Sequence, residues 1–213
     1  MFTVCWSAKA GSGTTVVTCA MALLSARHHA MALLVDLAGE APVALGVAEP
    51  SGPGIHDWVA SSTTPPGAIG AIGVTLGDHL QLIAAGSTTA PIDHRRWSIL
   101  GEYLAELDAD VLVDAGPAPP PALIAAATQN LLVTRSCYLA VRRAVASSIR
   151  PSGIVLVREP GRALTTADVC AALGAPVVAE VEIDPEVARA VDAGLLMSRL
   201  PRSLARGLRE VAA

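Results

Sequence analysis

Ser7-Ala8-Lys9-Ala10-Gly11-Ser12-Gly13-Thr14-Thr15 stands between the apolar run Phe2–Trp6 and a segment, Thr15–Arg27, with Val16, Ala20, Leu23 and Leu24 at helical spacing. A glycine loop between a strand and a helix suits an anion. The glycines let the backbone curl until several N–H groups point inward, and the helix adds its unpaired N–H groups and positive dipole end. The hydroxyl of Thr15, in the first helical turn, is placed to ligate magnesium. The same residues would also serve as an ordinary glycine-rich turn.

The stretches further along repeat the alternation of strand and helix. Met31–Val35 and Asp110–Val113 are continuous aliphatic runs stopped by Asp36 and Asp114, as buried parallel strands would be. His79–Ala84, Leu131–Thr134, Gly153–Val157 and Pro176–Val181 read as further strands. Arg95–Leu107, Ala140–Ile149, Pro185–Ala193 and Ser203–Val211 read as helices. Two stretches read as loops. One is 49–77, with a short helix at Ile55–Ala60 that buries Trp58; the other is Gly116–Pro121. The pattern predicts a three-layer α/β/α domain over residues 1–213, with a mostly parallel, doubly wound central sheet. Strand-end carboxylates in such a sheet open onto the ligand crevice. Asp36 and Asp114 are therefore candidates to hold magnesium and to orient an attacking water. Each could instead cap the turn that follows its strand.

Composition narrows the classes. Of 213 residues, 52% are hydrophobic and 16% charged, which excludes a disordered chain. Mean hydropathy is +0.51, yet Val16–Leu24 and 30–35 are far shorter than the roughly 20 residues of a spanning helix. No signal peptide is read at Met1–Ser7. The net charge of −4 speaks against a globally basic nucleic-acid binder. Cys5, Cys19, Cys137 and Cys170 form no CxxC pair, so buried thiols in a reducing cytoplasm are expected rather than disulfides or zinc. Lys9 is the sole lysine among 15 basic residues, and it stands in the glycine loop.

These residues resemble the ParA/MinD group of P-loop ATPases, whose deviant Walker A motif is K-G-G-x-G-K-[ST]. The match is Lys9-Ala10-Gly11-Ser12-Gly13-Thr14-Thr15. Leu33-Leu34-Val35-Asp36-Leu37 resembles the strand ending in the switch I aspartate. Val111–Pro117 resembles the Walker B strand and switch II, and Leu132-Val133-Thr134 the next strand. Glu180–Glu186 resembles the family's late I-P-x-D segment. The resemblance implies binding of ATP and Mg2+ by residues 9–15, Asp36 and Asp114, with Lys9 and Asp36 in catalytic roles. Lys9 would be the signature lysine reaching the partner's phosphates in a homodimer. It implies a dimeric spatial organiser, for partitioning, division-site or secretion and pilus positioning, with slow hydrolysis. The alternative is an inactive localisation scaffold resembling TadZ/CpaE-type pilus proteins.

Several positions depart from that pattern. Thr14 stands where the ordinary Walker A lysine falls, Ala10 replaces a glycine, and Ala38 replaces the second carboxylate of switch I. The late segment reads Glu182-Ile183-Asp184 without its proline, and Arg158 or Glu159 replaces the adenine-contacting asparagine. Losing one hydrogen bond to a charged group removes ~1.5–3 kcal/mol, a tenfold to hundredfold loss of affinity. A ligase of this fold would need a polar substrate pocket. An iron–sulfur reductase would need a cysteine within Gly116–Pro121, which has none.

At the C-terminus, Leu200, Leu204, Leu208 and Val211 share one helical face and Arg202, Arg206 and Arg209 another. Such a helix either contacts a membrane or DNA, leaving a cytoplasmic protein peripheral at the membrane, or packs its leucines on the domain. Arg142 and Arg143 are candidates for the same basic patch. His28-His29 suits the end of the first helix. His56-Asp57-Trp58 reads as a packing helix rather than a catalytic dyad, and His94-Arg95-Arg96 as the start of a solvated helix.

Overall fold

The computed structural model describes residues 1–28, 31–88, 90 and 93–212; His29, read above with His28, lies outside them. Among the described residues one eight-stranded sheet runs in the order β3-β4-β2-β5-β1-β6-β7-β8. Its strands are β1 (Phe2–Trp6), β2 (Ala32–Asp36), β3 (Val74–Thr75), β4 (Leu80–Ile83), β5 (Asp110–Asp114), β6 (Gln129–Arg135), β7 (Gly153–Arg158) and β8 (Val177–Glu182). All neighbouring pairs are parallel except β3 with β4. From β1 the chain builds toward one edge, returns through β5, and then passes β1 toward the other. The order therefore reverses beside β1, and a crevice opens at its C-terminal end.

Two apolar layers cover the sheet. On one face lie α1 (Thr14–Arg27), α2 (Ala41–Leu45), α8 (Pro185–Asp192) and α9 (Arg202–Leu208), packed against Leu34, Leu112, Val133 and Val155. On the other lie α3 (Ile55–Ala60), α4 (His94–Glu106), α5 (Pro121–Ala126), α6 (Tyr138–Val145) and α7 (Thr166–Leu173), against Val4, Val35, Val113 and Leu132. Alternation along each strand feeds both layers, so the central strands β1, β2 and β5 are buried almost throughout. That is the expected α/β/α architecture.

The differences are local. Helix α6 stops at Val145 rather than Ile149, because Ser147 Oγ accepts from the Ile149 amide and Arg150 donates to the Ser147 carbonyl. Helix α7 was not expected; Thr165 and Asp168 start it with a reciprocal capping box. The 49–77 stretch holds the expected α3, but also a 3-10 turn at Pro66–Ile72 and the antiparallel β3. Arg96 is a correction to the solvated-helix reading. It is buried, with its guanidinium 3.7 Å above the Trp58 ring, and it donates to the carbonyls of Trp58 and Thr64. Arg96→Met leaves two carbonyls without that donor and should lower stability by about 2–3 kcal/mol, read by denaturant unfolding.

The terminal helix follows the packing alternative. Leu200, Leu204 and Leu208 are buried in the core, while Arg202, Arg206 and Arg209 are exposed. The apolar face that a membrane would take is already occupied by the domain. Among the described residues no helix is long and apolar enough to cross a membrane. Cys5 and Cys19 are buried, and burial pushes the Cys5 thiol up to about 12 and Cys19 well above its usual range. Cys137 and Cys170 are only half-buried.

Candidate functional site: a glycine loop and two buried carboxylates

The glycine loop leaves β1 at the crevice. Gly11 and Gly13 adopt φ of +76° and +91°, the left-handed region in which a side chain is strained. Nothing lies within 4 Å of a Cβ built at either, so conformation rather than crowding calls for glycine there. Ser12 Oγ donates to the Lys9 carbonyl at 2.7 Å and closes the loop on itself. Val17 N–H donates to the Gly13 carbonyl and is the first bond of α1. The amides of Thr14, Thr15 and Val16 precede it and have no acceptor within the helix. Together they form the positive end of a 14-residue helix.

Strand register brings the two carboxylates to the foot of this loop. Asp36 and Asp114 are direct neighbours across β2 and β5, and both are fully buried. Their surroundings differ. Asp36 spends both oxygens on its own turn: Oδ1 accepts from the amides of Ala38 and Gly39, and Oδ2 from that of Ala41, at 2.8–2.9 Å. This is the arrangement of a strand-end turn cap. Asp114 accepts a 3.3 Å bond from Gly116 N–H on Oδ1, the Thr15 hydroxyl lies alongside as a donor to the carboxyl, and the buried Oδ2 has no partner within 3.5 Å among the described residues. Burial raises the Asp114 carboxyl to about 6, the Thr15 hydroxyl beside it opposes that rise, and the charges of Asp36 and Glu40 add to it.

A cleft of about 470 Å³ lies over the loop, bounded by Ala10–Val16 and by Ala38, Glu40, Gly116 and Pro117. None of its described lining residues is basic. Thr14 is buried there and carries no charge where a lysine would stand. Lys9 curls back, with Nζ donating to the neighbouring Ala10 carbonyl at 3.2 Å. A second cavity of about 270 Å³ adjoins the other side of Gly11–Gly13. Val16, Val17, Val157, Val181 and Val187 give it an apolar wall, Arg135 supplies a cation, and Glu182, Asp184 and Asp192 supply carboxylates.

A scan of protein-family models gives no match, and neither does a search of the curated proteins. Solved structures do match over nearly the whole chain. A ParA family ATPase from Chlorobium tepidum TLS superposes with a TM-score of 0.79 at 17% identity, covering 98% of this chain and 96% of that one. MinD in the MinC:MinD cell division complex of Aquifex aeolicus gives 0.79 at 19%, covering 100% and 94%. The septum site-determining protein MinD of Pyrococcus horikoshii OT3, complexed with Mg-ADP, gives 0.77 at 16%, covering 99% and 94%.

The chain has the ParA/MinD fold.

Within the ParA/MinD fold, the described residues bring Thr15 and Asp114 together beneath the loop. Asp36 lies next to them with its oxygens already bonded. A magnesium ion fits this donor set. It takes hard oxygens, keeps several waters, and needs only one or two protein ligands beside phosphate oxygens. The unpartnered Oδ2 of Asp114, next to a hydroxyl, supplies them. No cluster of three or more His, Cys, Asp or Glu able to enclose a metal occurs among the described residues. Sequence reasoning missed Arg135, although it follows Leu131 and Val133 at the two-residue period that sends it to the α1 face.

Proposed function

We propose that the chain is a ParA/MinD-type nucleotide switch. It binds Mg-ATP at residues 9–15, Asp36 and Asp114, pairs as a homodimer, and positions a cargo in the cytoplasm. The observation that carries this reading is the buried, unpartnered Oδ2 of Asp114 beside Thr15, at the base of a glycine loop that lines a cleft. Magnesium, if bound, would supply positive charge against the phosphates. Thr15 and Asp114 orient it through their oxygens. The loop amides cradle the phosphates, and Gly11 and Gly13 permit that curvature. Asp36 is held by three amides of its own turn and keeps one further acceptor site, on Oδ2, for a water, so slow hydrolysis is expected.

The solved MinD bound to Mg-ADP and the MinC:MinD complex supply precedent for nucleotide and partner on this fold. Lys9, whose ammonium donates to its own loop's Ala10 carbonyl, is free to reach a partner's phosphates. Light scattering should show a monomer without nucleotide and a dimer with Mg-ATP. Lys9→Ala should remain monomeric at the same concentration. A nucleotide-independent dimer unaffected by Lys9→Ala would instead support a second reading, a scaffold without ATPase activity. Two observations favour that reading: uncharged, buried Thr14 and an Asp36 carboxylate held by three amides of its own turn.

A further inference from the structure

The exposed Glu40 lines the cleft over the loop, Asp36 and Asp114 are buried at the foot of that loop, and none of the described lining residues is basic. A polyphosphate entering there needs a cation from elsewhere. Position 14 supplies none, and the Lys9 ammonium lies on the outside of the loop at the Ala10 carbonyl. Arg135, at the C-terminal end of β6, is the basic residue that lines the adjoining cavity, together with Gly11, Ser12 and Gly13. Valines of α1, β7 and β8 share that lining with the carboxylates of Glu182, Asp184 and Asp192, and the Arg135 guanidinium is the cation among the described lining residues.

We infer that Arg135 is a phosphate-binding residue that takes over the role of the missing loop lysine. This rests on the nucleotide reading above. The arrangement around Arg135 suits a group that changes partners. Its Nη2 lies 2.6 Å from Glu159 Oε1, and Glu159 Oε2 is held separately by Arg162 Nε. When Arg135 turns to a phosphate, Glu159 keeps the Arg162 partner, so its carboxylate is not left unpaired. A guanidinium presents paired N–H donors that match phosphate oxygens bidentately, and it stays protonated at every working pH. The side chain is one-third exposed, which leaves it room to swing across the 270 Å³ cavity.

The test compares binding of ATP, inorganic tripolyphosphate and adenosine by calorimetry, each with magnesium present. Wild type, Arg135→Ala, Arg135→Gln and Arg135→Lys are compared. The glutamine variant keeps a donor for Glu159 and serves if alanine fails to fold, which thermal unfolding without ligand reports. Both uncharged variants should bind ATP and tripolyphosphate about 10–100-fold more weakly, with lysine recovering part of the loss, while adenosine binding stays unchanged. Unchanged tripolyphosphate affinity, or a loss confined to adenosine, overturns the phosphate assignment but leaves the nucleotide reading standing. No ATP binding by the wild type overturns both.

Discussion

Asp114→Asn should make the metal-free protein more stable at neutral pH, although it removes a residue placed at the centre of the site. The carboxyl is raised from 3.8 to about 6, chiefly by burial, with Thr15 opposing and Asp36 adding. The folded state therefore holds the proton more tightly than the unfolded state does. Below about pH 4 the group is protonated in both and costs nothing. Between about pH 4 and 6 the folded protein loses stability as pH rises, and above that window the whole cost is present. At 1.36 kcal/mol per unit, this amounts to roughly 3 kcal/mol. Asparagine keeps an acceptor for the Gly116 amide and carries no charge. For a chain of this size, the melting temperature should rise by about 6–12 °C near pH 7 and converge with wild type near pH 4. Magnesium with ATP should stabilise wild type and not the variant. An equal shift at both pH values would show that desolvation of Asp114 is not the cause.

Gly46→Ala should unfold the protein or cost more than about 4 kcal/mol. Gly46 ends α2 at φ +77°, and a Cβ there would lie 1.8 Å from the Gly194 carbonyl oxygen and 2.2 Å from its carbon. Gly194 itself follows α8 at φ +63°. The clash is between two backbones, so no rotamer change relieves it, and the turns after α2 and α8 must separate. Gly174→Ala is the control. That residue ends α7 at φ +65° with nothing within 4 Å, so only left-handed strain of about 1–2 kcal/mol applies. Denaturant unfolding of both variants separates contact from strain. Similar losses at the two positions would mean that the close approach at Gly46 is unimportant.

The parts of the site that were legible in the sequence are those fixed by strand ends. Asp36 and Asp114 each terminate an aliphatic run, and parallel register then makes them neighbours. Gly11 and Gly13 lie where a strand must turn into a helix, and both take positive φ. What the sequence did not show was the use of each carboxylate. That depends on whether following amides fold back, as they do on Asp36 but hardly on Asp114. Arg96 read as surface because burial of a guanidinium requires Trp58 and two carbonyls from a distant turn. The Thr165-x-x-Asp168 box that begins α7 was visible and went unread, since Val169, Cys170 and Leu173 give a weak helical stripe. The leucines of α9 showed an apolar face, but only the tertiary structure shows that the core covers it.

The central claim is that the cleft over Gly11–Thr15 takes a magnesium nucleotide without a lysine at position 14. Calorimetric titration of the purified protein with ATP, with and without magnesium, tests it most directly. Saturable binding that requires magnesium, and that Asp114→Asn removes, is the expected result. No heat of binding up to millimolar ATP in either condition would contradict the claim.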